Sequence, residues 1–263
     1  MYKKDMTKRM NKKGQLTIFI IIALVIVVGL LIYFLWIGPS YVYPERERLG
    51  FERCVQEVVN ENINNLGVNG GFIQPEFFIS YKNEIIPYLC YTNLYYENCI
   101  NQNPFLIDNF QNNLLEASEA EIWACYESSL NALERQGYNV IEGERNLSIE
   151  LVPGKANIII NAPVVLTGEG SQRFTRFNVA VNSKIYEMLS LSTSIIQFET
   201  QYGDSDVTSM MALYPDYVID KFKQGDGTTI YIIEDKENKN KFQFASRSLV
   251  LPPGYGQKSG LVR

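Results

Sequence analysis

Apolar residues run without interruption from Leu16 to Ile37 (LTIFIIIALVIVVGLLIYFLWI), with no charged side chain among them. At about 1.5 Å of rise per helical residue, such a run is long enough to cross a hydrocarbon core about 30 Å thick. The pattern predicts a single N-terminal transmembrane helix over residues 16–37. A cleaved secretory signal fits less well: its apolar region is shorter and ends in small residues, whereas this one ends in Phe34-Leu35-Trp36-Ile37. Gly38, Pro39 and Pro44 then punctuate residues 38–50, read as a stalk.

Beyond the stalk the periodicity is helical. Phe51, Cys54, Val55, Val58, Val59, Ile63 and Leu66 recur at three and four, and Gly67 is positioned to end that helix. Gly70, Gly71, Pro75 and Pro87 break up residues 67–89, which read as a loop with short extended pieces. Two helices follow. The first starts at Pro104 and turns Phe105, Ile107, Phe110, Leu114 and Leu115 inward. The second opens on Ser118 and Glu121, which have the spacing of a capping box. Its face is Ile122, Cys125, Tyr126, Ser129, Leu130 and Leu133, and Gly137 closes it. Residues 51–137 are therefore expected to form a helical subdomain.

From Tyr138 alternation replaces the helical period. Leu147, Ile149 and Leu151 alternate with Ser148 and Glu150, residues 156–166 make a second strand, and Phe177, Val179 and Val181 a third. Pro153-Gly154 and residues 168–171 are the turns between them. A helix over residues 183–200 comes next, then a short helix through Met211 capped by Asp204 or Ser205. Strands are predicted at 216–222, 228–234 and 241–250, the last two flanking a polar hairpin loop. The expected fold class is α+β: a membrane helix, a helical unit, then antiparallel β-meanders with an intervening helix over 138–252. Residues 253–263 form a tail without period.

Charge orients this arrangement. Lys3, Lys4, Lys8, Arg9, Lys12 and Lys13 precede the run against Asp5 alone, and basic residues gather on the cytoplasmic side of a membrane helix. Tyr33, Trp36, Tyr41 and Tyr43 crowd the far end, where amphipathic rings suit the headgroup layer. The basic leader 1–15 is therefore expected in the cytoplasm and residues 38–263 outside it. The whole chain has net charge −5, so the outer part is more acidic still. That acidity argues against a nucleic-acid partner, which needs a basic stripe, and against lying on anionic lipid.

The segment KKGQLTIFIIIALVIV resembles the N-terminus of archaeal type IV pilin-like proteins with class III signal peptides. The resemblance covers about the first tenth of the chain. Lys12, Lys13, Gly14 and Gln15 match the family motif, which implies a processing site between Gly14 and Gln15 and a helix that packs into a filament core. Thr17 stands where the family usually has Ser, and Phe19 where it usually has a Glu that helps subunits register.

All four cysteines, Cys54, Cys90, Cys99 and Cys125, fall on the predicted outer side, where an even number reads as disulfides. Three connectivities are open. Cys90 with Cys99 closes a short Tyr-rich loop, and Cys54 with Cys125 staples two predicted helices. The absence of histidine and of any CxxC pair argues against zinc, so no metal is expected.

Without histidine the chain lacks the commonest general base and the partner of Ser and Cys nucleophiles. NGG, GEG and GDG read as turns, since no Lys-Ser or Lys-Thr helix follows them. The carboxylate sets Glu119/Glu121, Glu142/Glu144 and Asp204/Asp206 are the only acid–base kit left, and loop or capping roles suit them better. Neither catalytic residues nor a cofactor are expected.

Contact chemistry is better represented. Tyr81, Tyr88, Tyr91, Tyr95 and Tyr96 cluster around the Cys90–Cys99 segment, and aromatic-rich loops supply rigid amphipathic area for partners. Tyr88, Tyr91, Tyr95 and Tyr96 are the candidate partner-binding residues. Asn146 heads a glycosylation sequon, Asn146-Leu147-Ser148. The expected function is a membrane-anchored surface protein with a structural, adhesive or partner-binding role. Its partners are the bilayer through residues 16–37 and other surface proteins or like subunits. A pilin-like filament subunit is the alternative; a carboxylate-based extracytoplasmic enzyme rests on less.

Overall fold

A computed structural model describes residues 22–29, 45–168 and 170–252. The leader with Gly14 and Gln15, most of the apolar run, and the tail 253–263 lie outside the described residues. Of the run itself, residues 22–29 are helical and their side chains exposed. Among the described residues no helix is long and apolar enough to cross a membrane. Packing divides the chain into two units at Arg48/Leu49, and both sheets belong to the second.

The fold is α+β with one mixed and one antiparallel sheet. Helix α1 spans Glu45–Val68, so it already begins inside the stretch read as stalk. Gly67 does not end it. Gly67 remains helical where the Lys241 carbonyl packs against it, so close that a Cβ would sit 2.2 Å from that oxygen. The turn comes at Gly70 and Gly71, both at positive φ.

Residues 67–103 depart most from expectation. Where a loop with short extended pieces is expected over 67–89, they form the paired strands β1 (Phe78–Tyr81) and β2 (Glu84–Tyr91), followed by the two-residue β3 (Ile100–Asn101). Residues 86–90 of β2 are buried without alternation, which marks an interior strand. Helix α2 (Leu106–Arg135) is continuous where two helices are expected. The stripe Phe110, Leu114, Ser118, Ile122, Cys125 keeps one buried face throughout, and no Gly or Pro interrupts it. Ser118 is thus buried in mid-helix rather than capping, and Phe105 is exposed rather than inward.

Strands β4 (Asn139–Glu142), β5 (Asn146–Val152), β6 (Lys155–Thr167) and β7 (Ser171–Asn182) make the antiparallel sheet. β6 is its axis, with β4 and β5 along one edge and β7 along the other; its register shifts between Asn161 and Val164, at Pro163. Helix α3 (Ile185–Tyr202) and the short α4 (Val207–Leu213) come next. Asp206, not Asp204 or Ser205, caps α4: its Oδ1 accepts the N–H of Thr208 and of Ser209. Strands β8 (Tyr217–Lys223), β9 (Thr228–Asp235) and β10 (Lys241–Arg247) complete the second sheet, in the order β1-β2-β10-β9-β8 with β3 also on β2. β2 and β10 run parallel; the other pairs are antiparallel. This sheet draws on residues from both sides of Tyr138.

The main core lies behind both sheets, and a smaller buried cluster of Ile86, Tyr88, Ile230 and Ala245 is separate from it. α1 and α2 are joined by the disulfide Cys54–Cys125. Beside it Phe51, Tyr126 and Phe177 meet edge-to-face at 5.8–6.1 Å, drawing β7 onto the helix pair. Arg145 closes the rim: it bonds Glu127 and Glu142, both at 2.8 Å, and lies over the Trp123 and Tyr126 rings.

α3 is fastened to the mixed sheet by a buried polar network. The Glu199 carboxyl, 1% exposed, accepts from Tyr231 Oη and, at 2.9 Å, from Ser246 Oγ. Burial raises the Glu199 pKa; the Tyr231 and Ser246 bonds and the Lys221 charge only partly oppose it, and Asp204 adds to the rise. The folded protein therefore keeps this proton to higher pH than the unfolded chain does. The resulting stability is complete below the ordinary value of 4.5 and is lost as pH rises through the folded value. Asp204 and Asp235 act oppositely: burial raises each, but Lys221 and Lys223 on the first, and backbone N–H groups with Lys184 on the second, bring them below 3.8. Their contribution is lost as pH falls. Stability measured by denaturant titration is expected to rise from strong acid to about pH 4, then to decline with a slope of up to about 1.4 kcal/mol per pH unit. Glu199→Gln is expected to flatten that decline and leave the acid limb unchanged; an unaltered decline would remove Glu199 from the account.

Candidate binding site

The site is assembled where the chain leaves α1 and turns back along the edge of β2. Gln243, buried in β10, donates to the carbonyl of Val68 at 2.9 Å and to Glu84 at 3.0 Å, fixing the helix end. Asn113 of α2 donates to the Gly71 carbonyl at 2.8 Å. Residues 72–77 then cross to β1, and the Tyr88 N–H donates to the Phe77 carbonyl at 3.0 Å. On the same edge of β2, the Gln102 N–H donates to the Leu89 carbonyl at 2.8 Å. Phe77 and Gln102 thus flank a notch between β1 and β3.

A cavity of about 360 Å³ occupies this notch. Phe72, Phe77 and Tyr88 supply rings, Pro75 and Pro87 supply flat saturated faces, and Gln74, Glu76 and Gln102 supply polar groups. Pro87 and Tyr88 are buried, while Phe77, Gln74, Glu76 and Gln102 are exposed, so a rigid base lies under a solvent-facing rim. No basic side chain lines it.

The base is held from several sides. The Phe77 ring lies 4.9 Å from Tyr88 and 4.6 Å from Tyr91, and Tyr88 lies 5.0 Å from Tyr91. Arg247 sits over Tyr91 at 5.8 Å. Thr228 Oγ1 donates to Asp226 at 3.0 Å, so the Tyr88 hydroxyl, 2.9 Å from the same oxygen, is the donor of that pair. Burial raises the Tyr88 pKa against the lowering effect of this bond, which keeps the phenol neutral.

The candidate tyrosines separate into two groups. Tyr88 and Tyr91 belong to the aromatic cluster, Tyr88 as a buried base and Tyr91 half-buried. Tyr95 and Tyr96 are exposed, on the loop closed by the disulfide Cys90–Cys99. That loop pairs with the chain after β10: the Tyr96 N–H donates to Val250 O at 2.9 Å, and the Leu249 N–H to Glu97 O at 2.8 Å. Asn98 donates to the carbonyls of Thr200 and Gln201, satisfying acceptors at the end of α3. Tyr81 packs instead on Phe222 at 5.8 Å. Asn146 is exposed at the start of β5, opposite Asn161.

The carboxylate sets are dispersed over structural tasks. Glu119 bonds Trp123, Glu142 bonds Arg145, Asp204 pairs with Lys221 and Lys223, and Asp206 caps α4. Among the described residues no three His, Cys, Asp or Glu side chains group so as to hold a metal ion.

Phe72, Gln74, Phe77, Pro87 and Gln102 escape the reading of the sequence. Their signal is the apolar run Ile85–Tyr91, long enough for a buried strand, together with Phe77-Phe78 before it. Pro75 and Pro87 obscure that signal, because proline argues against a ladder position.

No family model matches this chain, and no curated protein or solved structure matches it either.

Proposed function

We propose that this chain is a single-pass protein of the cell membrane, with residues 38–263 extracytoplasmic, that works by contact rather than by catalysis. The apolar run Leu16–Ile37, preceded by six basic residues and followed by only Arg46 and Arg48 in a mixed cluster with Glu45 and Glu47, carries this reading. Two disulfides suit an oxidising compartment. The rigid aromatic notch between β1 and β3 is the contact site. The test is topological. In intact cells a tag after Arg263 is expected to react with an impermeant biotin reagent, and the protein to stay with membranes through an alkaline carbonate wash. A shielded tag, or release by the wash, would overturn the proposal.

The segment Lys12–Gln15 favours a second reading, a pilin-like subunit whose leader is removed after Gly14. Intact mass of the membrane-extracted protein discriminates the two. A chain starting at Gln15 supports processing; one starting at Met1 excludes it and leaves a plain signal anchor.

A further inference from the structure

We infer that the notch between β1 and β3 binds a neutral saccharide, an inference that rests on the contact-site reading above and gives it a ligand class. A volume of about 360 Å³ is at the small end of ligand pockets, which run from about 300 to 1,000 Å³. It admits a sugar ring or two, not a protein segment with its own secondary structure. The lining combines two kinds of surface that one sugar ring presents together. Phe72, Phe77 and Tyr88 offer ring surface to apolar C–H faces. Gln74, Glu76 and Gln102 offer planar donors and acceptors to hydroxyls on its edge.

The polar set discriminates among ligand classes. An anion would meet Glu76 with no basic side chain in the lining, on a chain of net charge −5. A purely apolar ligand would strip water from three polar side chains and return no hydrogen bond. An ammonium group would suit Glu76, the rings and the carboxamide oxygens, but it has no acceptor for the carboxamide N–H groups. Gln102 is already oriented: its Nε2 donates to Ile100 O at 2.7 Å, leaving Oε1 and a second N–H. A hydroxyl can both donate and accept, which matches that remaining pair.

The test uses the full chain in a detergent without a sugar headgroup. The probes are a panel of neutral mono- and disaccharides read by saturation-transfer NMR, with tetramethylammonium and inorganic phosphate as the competing classes. At least one neutral saccharide is expected to bind saturably. Phe77→Ala and Gln74→Ala are each expected to weaken it about tenfold or more. Tyr95→Ala, on the other loop, should leave it unchanged. Circular dichroism checks the fold of each variant, and Glu76→Gln, an exposed isosteric change, provides a variant that does not disturb packing. No binding across the panel overturns the inference, as does binding indifferent to Phe77, Gln74 and Glu76. Saturable binding of tetramethylammonium or phosphate in place of sugars overturns it too. An extracytoplasmic domain that binds no saccharide sinks this inference alone; a saccharide-binding domain on the cytoplasmic side sinks the topological proposal alone.

Discussion

Replacing Cys54 and Cys125 together by alanine is expected to lower the unfolding free energy of the full chain by about 4 kcal/mol. The bond joins residues 71 apart in sequence, and a closed loop of that length removes more unfolded-state entropy than a short one. Cys90 and Cys99 are only 9 apart, so the paired alanine substitution there is expected to cost about 2–3 kcal/mol. Guanidinium unfolding of detergent-solubilised protein, with and without reductant, measures both. Reductant should move the wild-type midpoint further than it moves the Cys54→Ala/Cys125→Ala variant. Equal losses for the two pairs would show that loop length does not govern their contributions. The longer bridge has a second role: it lies beside the Phe51–Tyr126–Phe177 cluster, so its loss also loosens α1 against α2.

Gly70→Ala is expected to cost about 3 kcal/mol and to abolish saccharide binding at the notch. Gly70 has φ +60°, and an added Cβ would fall 2.3 Å from Pro87 Cγ and 3.1 Å from the Gln243 carbonyl oxygen. Left-handed backbone at a non-glycine residue costs about 1–2 kcal/mol, and overpacking adds about 1–3. Gly154→Ala is the control. It has φ +79° with nothing within 4 Å, so it carries the backbone cost alone. A thermal melt giving the same loss for both would remove the Pro87 clash from the explanation. The clash matters for the site because Pro87 lies in the cavity lining, directly under the segment that Gly70 and Gly71 turn.

The legible parts of this fold are those where one period holds long enough to exclude another. Leu147–Leu151, residues 156–166 and Phe177–Val181 alternate, and each is a strand of the antiparallel sheet. Ile185 to Ile196 repeats at three and four, and is α3. The two disulfides join the pairs that the helical face and the short loop favour among three connectivities. A local signal misleads where it meets a stronger tertiary one. Ser118 and Glu121 have capping-box spacing, yet burial of Phe110, Leu114, Ile122 and Cys125 along one continuous face carries α2 through this point and leaves the Ser118 hydroxyl buried without a hydrogen-bond partner among the described residues. Asp204 is drawn off by Lys221 and Lys223, leaving Asp206 to cap α4. β2 is harder still, since its partner β10 pairs with it across 156–157 residues of sequence and no local pattern announces that pairing. The notch depends on β2, so Tyr88 and Phe77 are visible in the sequence as aromatics, while their meeting with each other and with Gln102 is not.

The parallel pairing of β2 with β10 also fixes an order of events during synthesis. Cys90 and Cys99 lie close in the chain and can be oxidised as soon as both have emerged, holding the Tyr-rich loop early. β2 must then wait, with one edge unpaired, until the distant segment Lys241–Arg247 has been made. Through that interval the nascent domain presents an apolar strand edge, the feature that recruits chaperones or seeds aggregation. A chain stopped between Cys99 and Lys241 therefore leaves a half-sheet with its oxidised loop in place and nothing to close it.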